Sequence, residues 1–244
     1  MRKKGTVLGV SYEVSNIADA VSDVKDNKDE LSGGYACFSN VHTLMTAVDD
    51  KEYMDVLNNA DRTFPDGAPI ASRLRKMGFR EAERVAGPDF MEEMFERTKD
   101  GSLTHFFYGS KEETLEKLER NLSEKYPGIR IKGMYSPSFG EVSPEEDEKD
   151  VELINEADAD IVWVGLGSPK QDKWMAANKG RVKGFMCGVG AGFDFHAGTM
   201  KRAPLWMRKM HLEWFFRLIS DPKRLLKRYV VSNSRFIWYT IIGK

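Results

Sequence analysis

A carboxylate set between proline and glycine is held on a stiff, sharply turned loop, and Thr63-Phe64-Pro65-Asp66-Gly67-Ala68-Pro69 contains one just ahead of a helix-starting proline. Such a loop suits Asp66 as a general base, whose position must be fixed closely for proton transfer. The same spacing also suits an Asx-turn with no chemistry attached. Asn40, in Phe38-Ser39-Asn40-Val41-His42, could donate and accept at a sugar or a base, or simply cap the following helix. Arg84 and Gly87, in Glu83-Arg84-Val85-Ala86-Gly87-Pro88-Asp89, stand at a helix entrance where backbone N–H groups and a guanidinium could hold phosphate. An ordinary cap explains the same residues.

Two glycine-rich segments add further candidates. Val164-Gly165-Leu166-Gly167-Ser168-Pro169-Lys170-Gln171 lets backbone approach a ligand, and the helix start after it favours an anion. It is neither a Walker A loop nor a full G-x-G-x-x-G fingerprint. In Gly188-Val189-Gly190-Ala191-Gly192-Phe193-Asp194-Phe195-His196-Ala197-Gly198, four glycines allow either a loop touching a ligand or a crowded crossing of backbones. Asp194 could pair with Arg202 or hydrogen-bond a nucleoside. The four histidines are scattered without metal-ligand spacing, so no metal site is expected.

The elements that position these loops follow from periodicity. Short β-rich runs at Thr6–Val10, Tyr35–Ser39, Arg62–Phe64, His105–Tyr108, Ile129–Tyr135, Ile161–Val164 and Gly184–Val189 read as strands. Helical spacing covers His42–Asn59, Pro69–Met77, Pro88–Lys99 and Lys111–Lys125, and Ser143-Pro144-Glu145-Glu146 opens another helix with a cap and first-turn acids. Strands alternating with helices predict an α/β fold, a Rossmann-like, largely parallel sheet flanked by helices. In such sheets ligands bind beyond the carboxyl ends of the strands, where all the loops above would lie. The organisation expected is an α/β body over residues 1–198 and a helical appendage over 199–244. Leu205–Met210, Glu213–Ser220 and Pro222–Val231 are its predicted helices, followed by the apolar run Phe236–Ile242.

Composition narrows the class. With 244 residues, 41% of them hydrophobic, and a net charge of −1, the chain can bury a sizeable core and is not disordered. Cys37 and Cys187 fall in apolar runs and read as buried thiols, not a disulfide framework. After Met1-Arg2-Lys3-Lys4 the apolar run is too short for a secretory segment. Nothing approaches the ~20 apolar residues of a membrane span. The expectation is a soluble, cytoplasmic protein. The near-zero charge hides an asymmetry: from Thr199 onward there are eleven Lys or Arg and only two acids, Glu213 and Asp221. That basic stretch also holds Trp206, Trp214 and Trp238, a mixture suited to anionic headgroups. It shows no helix-turn-helix, RRM or zinc pattern, so nucleic acid is not an expected partner.

Taken together, TFPDGAP at Thr63–Pro69, ERVAG at Glu83–Gly87, VGLGSPKQ at Val164–Gln171, and GVGAGFDFHAGTMKRAP with EWFFRLISDPKRLLKRY within Gly188–Tyr229 resemble the WecG/TagA/CpsF glycosyltransferase family. The resemblance runs from Val7 to Tyr229. It implies an inverting transferase that needs no metal or other cofactor and moves an N-acetylhexosamine from a UDP-sugar to a polyprenol-diphosphate-linked sugar at the membrane. In one branch the donor is UDP-N-acetylmannosamine, the acceptor carries N-acetylglucosamine, and the product is the linkage unit of wall teichoic acid; other branches use other donors. By the same resemblance Asp66 is the general base, and Asn40 and Gln171 hold the donor sugar or diphosphate. Arg84, Tyr135 and Asp194 line the pocket. Arg217, Arg224 and Arg228 are candidates to neutralise the leaving diphosphate as the appendage closes over the site at the membrane. Self-association through the apolar tail is a further expectation, and a non-catalytic membrane-associated protein of the same fold is the alternative. The chain departs from the family pattern at Phe38, where some members carry Thr, and at His211, where Gly is usual.

Overall fold

A computed structural model describes residues 3–138, 140, 143–210 and 212–242, the side chains of Lys209, Arg224 and Arg228 excepted. His211 therefore lies outside the described residues. Its centre is a six-stranded parallel sheet built from β3 (Tyr35–Ser39), β4 (Arg62–Pro65), β5 (Thr104–Gly109), β6 (Arg130–Tyr135), β7 (Ile161–Gly165) and β8 (Phe185–Gly188). The spatial order is β4-β3-β8-β7-β5-β6. This is the α/β sheet expected, and its central strands are buried along their whole length, as parallel strands covered on both faces must be. Two apolar clusters fill the two faces: Val41, Leu44, Tyr108, Val164 and Met186 belong to one, and Phe64, Phe90, Phe95, Trp163 and Phe193 to the other. Cys37 and Cys187 are both buried and free.

The structure departs from the periodicity reading at three places. The run Thr6–Val10 is not one strand. It is the turn of an antiparallel hairpin, β1 (Lys4–Val7) and β2 (Val10–Glu13). Leu8 and Gly9 both take positive φ, 49° and 88°, which matches the twist a two-residue hairpin turn requires. The predicted helix His42–Asn59 is two helices, Val41–Asp49 and Lys51–Asn58. Asp50 breaks it by turning extended and accepting the Tyr53 N–H as the cap of the second. The last helix runs over Pro222–Ile241, so the apolar run is a continuation of it.

The Pro222–Ile241 helix packs against the sheet's flank. Ser232 Oγ lies 3.1 Å from His42 Nδ1, and Arg235 forks onto Asp49 with two bonds of 2.6 Å, so the Pro222–Ile241 helix is held along the Val41–Asp49 helix. Phe236 is buried there, in one apolar cluster with Val41 and Leu44. Among the described residues, no helix is long and apolar enough to cross a membrane.

Candidate active site

The parallel pairing of Ser39 with Pro65 brings the carboxyl ends of β3 and β4 side by side. Asp66 N–H then donates to Ser39 O at 2.9 Å, which pins the loop that follows β4 beside the loop that follows β3. Gly67 comes so close that a Cβ there would touch Asn40 Cα at 3.8 Å. Asp66 and Asn40 are thus neighbours at one rim of the sheet. Arg84 arrives through a backbone bond from Val85 N–H to Pro65 O of 3.0 Å, which sets the residue before it against Asp66.

Charge dominates this rim. Arg84 Nη2 is 2.8 Å from Glu213 and 3.5 Å from Asp66, and Arg84 Nη1 is 3.7 Å from Asp89. Arg202 reaches the other oxygen of Glu213 at 3.2 Å and also pairs with Asp89, to which Arg208 adds a contact at 3.2 Å. Asp89, near the start of the Gly87–Thr98 helix, is where an acid is favoured. Glu213, in the first turn of the Glu213–Ser220 helix, is likewise well placed. Burial pushes the Asp66 carboxyl up, to about 7, and the repulsion of Glu213 and Asp89 adds to this against the opposing pull of Arg84 and Arg217. Burial also pushes Glu213 up, but Arg84 and Arg202 outweigh it and hold that carboxyl below the ordinary glutamate value. One aspartate at this rim is therefore poised to exchange a proton near neutrality, while its neighbour stays ionised.

Arg217 joins the site from the appendage. Its guanidinium lies over the Phe195 ring at 5.8 Å, and Arg202 stacks on the same ring at 5.6 Å. Arg217 is separated from Arg224 and Arg228 by the break at Asp221, which ends one helix before Pro222 starts the next. The three arginines consequently do not share one helix face, as the proline between them foreshadows. The side chains of Arg224 and Arg228 lie outside the described residues.

The other expected residues occupy different posts. Asn40 caps the Val41–Asp49 helix, its Oδ1 accepting the N–H groups of His42 and Thr43 at 2.9 and 3.2 Å. Gln171 is buried, and its amide is engaged three times over: with Gly188 O at 2.7 Å, Ser168 Oγ at 3.2 Å and Gly167 N–H at 2.9 Å. It ties the loop after β7 to the end of β8. Asp194 accepts from Thr199 Oγ1 at 2.9 Å and does not meet Arg202, which is occupied by Asp89 and Glu213. Tyr135 ends β6 at the opposite edge of the sheet from Asp66, roughly 24 Å away by strand spacing. There it stacks on Tyr108 and lines a small cleft of about 80 Å³ with Glu146, Lys149 and Asp150.

The glycines of these loops serve two purposes. A Cβ on Gly165 would strike the Phe193 ring at 2.8 Å, so that glycine answers to crowding. Gly167 has φ of 80° with nothing within 4 Å, so it answers to a backbone turn on an open rim. Phe38 is core, stacked on Phe64 and tilted against Phe90, and the hydroxyl of Ser39 is bonded to Tyr12 and Thr43. No hydroxyl at 38 or 39 therefore faces the rim. The chain's single Asp-x-Asp triplet, Asp158–Asp160, precedes β7 at the other end of the sheet, where Asp160 binds Thr104 and Lys28.

Two residues of this arrangement lie within the quoted motifs but are assigned no role by them. Glu213 and Asp89 hold the two arginines, yet neither stands out by spacing. The available signal for Glu213 was its place as one of two acids in a strongly basic stretch. Beside this network opens a cleft of about 580 Å³, lined by Phe195, His196, Arg202, Arg208, Asn121 and Lys125 among others.

Residues 5–244 match the model of the glycosyl transferase WecG/TagA/CpsF family. The chain is 30% identical over 221 residues to the N-acetylglucosaminyldiphosphoundecaprenol N-acetyl-beta-D-mannosaminyltransferase of Bacillus subtilis strain 168, covering 90% of this chain and 84% of the relative. It is 26% identical over 225 residues to the protein of the same name from Staphylococcus aureus strain MW2, covering 91% and 87%.

Proposed function

The chain belongs to the WecG/TagA/CpsF glycosyltransferase family, and from that premise we propose that it transfers N-acetylmannosamine from UDP to N-acetylglucosamine carried on a polyprenol diphosphate, with inversion and without a metal ion. The observation that carries this reading is Asp66: a carboxyl on a pinned loop, beside Asn40, whose affinity for a proton is raised to about 7. A base must be ionised enough to act and basic enough to accept, and a value near the working pH meets both needs.

In the proposed step the acceptor hydroxyl oxygen bonds to the anomeric carbon as its proton passes to Asp66. The bond from that carbon to the diphosphate oxygen breaks on the opposite face, and UDP departs with the electron pair. Arg217, which has no ion pair among the described residues, is the cation proposed to meet the charge that grows on the diphosphate. Arg224 and Arg228 are proposed for the same role. Arg84 and Asn40 position sugar or diphosphate at the rim; Gln171 supports the glycine loop on which the donor rests, and Asp194 with Tyr135 border the wider donor and acceptor surface. The names of the similar proteins from Bacillus subtilis and Staphylococcus aureus support the choice of sugar and lipid carrier.

The appendage is proposed to rest on the inner face of the cytoplasmic membrane. Among the described residues, thirteen of the fifteen exposed large apolar side chains lie from Leu205 onward, Trp206 and Trp238 among them, interleaved with the basic residues. A lipid-borne acceptor would be met there.

The deciding experiment is a transfer assay with UDP-N-acetylmannosamine and a short-chain N-acetylglucosamine-diphospholipid, in EDTA, on the wild type and Asp66→Ala. Turnover by the wild type, with a loss of about 10²-fold or more in the variant, is the expected result. Activity of Asp66→Ala close to wild type would remove Asp66 as the base. Turnover only with another UDP-hexose would move the chain to a different branch of the family.

A further inference from the structure

Arg84 is one guanidinium among three carboxylates, and the one it holds most closely comes from the appendage. Glu213 lies at 2.8 Å, against 3.5 Å for Asp66 and 3.7 Å for Asp89. At 3.5 Å a hydrogen bond is marginal, so Arg84 is bonded to Glu213 and only near Asp66. We propose that Glu213 is a positioning residue for the transfer: brought in by the appendage, it draws Arg84 off Asp66 and leaves the Asp66 carboxylate free to take the acceptor's proton. This rests on the reading of Asp66 as the base.

The geometry explains why Glu213 wins. It is buried, one of its oxygens takes Arg84 and the other takes Arg202 at 3.2 Å, and Arg202 is itself anchored on Asp89. A carboxylate held by two arginines and set in the first turn of a helix is firmly placed. Asp66, by contrast, has no strong cationic partner. The charged groups that face it are Arg84, Asp89 from the Gly87–Thr98 helix, and Glu213 and Arg217 from the Glu213–Ser220 helix. Without Glu213, Arg84 would have only Asp66 and Asp89 to bind. A carboxylate paired closely with arginine is a weak base, its proton affinity lowered by about one to three pKa units. The helix that carries Glu213 also carries Arg217 over Phe195, so one docking event frees the base and delivers a cation for the leaving group.

The test is the pH dependence of kcat/KM for transfer by the full chain, in wild type, Glu213→Gln, Arg84→Gln and the double variant, with Asp66→Ala alongside. Glutamine keeps the shape and can still accept a hydrogen bond, but it loses the charge that holds Arg84. The acid limb of Glu213→Gln is expected to fall by about one pH unit or more, with plateau kcat lowered about three- to tenfold. In the Arg84→Gln background the same substitution is expected to move the limb by less than about half as much. Hydrogen exchange over the Pro222–Ile241 helix reports whether the appendage stays docked.

An unmoved acid limb in Glu213→Gln overturns the proposal, as does an equal shift with and without Arg84. A shift accompanied by lost protection of that helix also overturns it, because Glu213 would then be an anchor and no more. Asp66→Ala separates the two levels. If that variant is inactive while Glu213→Gln leaves the limb in place, only the inference about Glu213 fails. If Asp66→Ala is active, the base itself is misassigned.

Discussion

The Asp66 carboxyl binds its proton more tightly in the folded chain than a solvated aspartate does, with burial the largest cause. Its ionisation therefore works against folding. The penalty is absent below the unfolded value near 4, grows as pH rises, and is complete above the folded value of about 7. With 21% of the side chain exposed, a cost on the order of 2 kcal/mol is reasonable. Asp66→Asn should accordingly melt about 4–8 °C higher than wild type at pH 8 and no higher at pH 4, while losing transfer activity. Thermal unfolding across that range checks it; an equal gain at both pH values would point to a cause other than charge. Asp66 stands out in the sequence as a candidate because Pro-Asp-Gly is a rigid local motif. Glu213 and Asp89 were not, because an ion network is assembled from segments more than a hundred residues apart, and no local spacing records it. Gln171 shows the converse: the sequence marks the residue, but only the fold shows that its amide faces inward.

Among the elements, the glycine loop after β7 depends on that amide. Gln171→Ala would leave Gly167 N–H, Gly188 O and Ser168 Oγ without a shared partner, in a place where Gln171 is only 2% exposed. A loss of about 2–3 kcal/mol of stability is expected, with a rise of about tenfold in donor KM and a smaller change in kcat. Unfolding curves and donor kinetics together decide this. Lost activity at unchanged stability would show that the amide meets substrate directly. Alternation of strand and helix made the sheet's six strands readable, but their spatial order β4-β3-β8-β7-β5-β6 comes from long-range pairing that periodicity does not encode. The same limit explains the hairpin at Leu8-Gly9 and the break at Asp50. Each depends on the backbone angles of one or two residues, and the flanking pattern is compatible with either outcome.

At the scale of the whole molecule, the chain divides its charge: an acidic α/β body and a basic segment from Thr199 on. We expect residues 1–198 alone to fold, to lose transfer to a lipid acceptor, and to self-associate. Phe236 shares an apolar cluster with Val41, Leu44 and Met45, and truncation would strip it away. The full chain should sediment with anionic vesicles, less so as salt rises, and the truncated chain should not. Lipid transfer by the truncated chain at the full rate would contradict this. The composition of the segment carries only the expectation of a membrane-facing role; its attachment to the body was not readable, since the bond from His42 to Ser232 and the fork from Arg235 to Asp49 span some 190 residues. That seam lies along the helix capped by Asn40, directly behind the rim that holds Asp66. A small molecule wedged into it would prise away Glu213 and Arg217 together. Inhibition could thus be sought at a helix–helix joint, with compounds that need not imitate a sugar nucleotide or carry its charge.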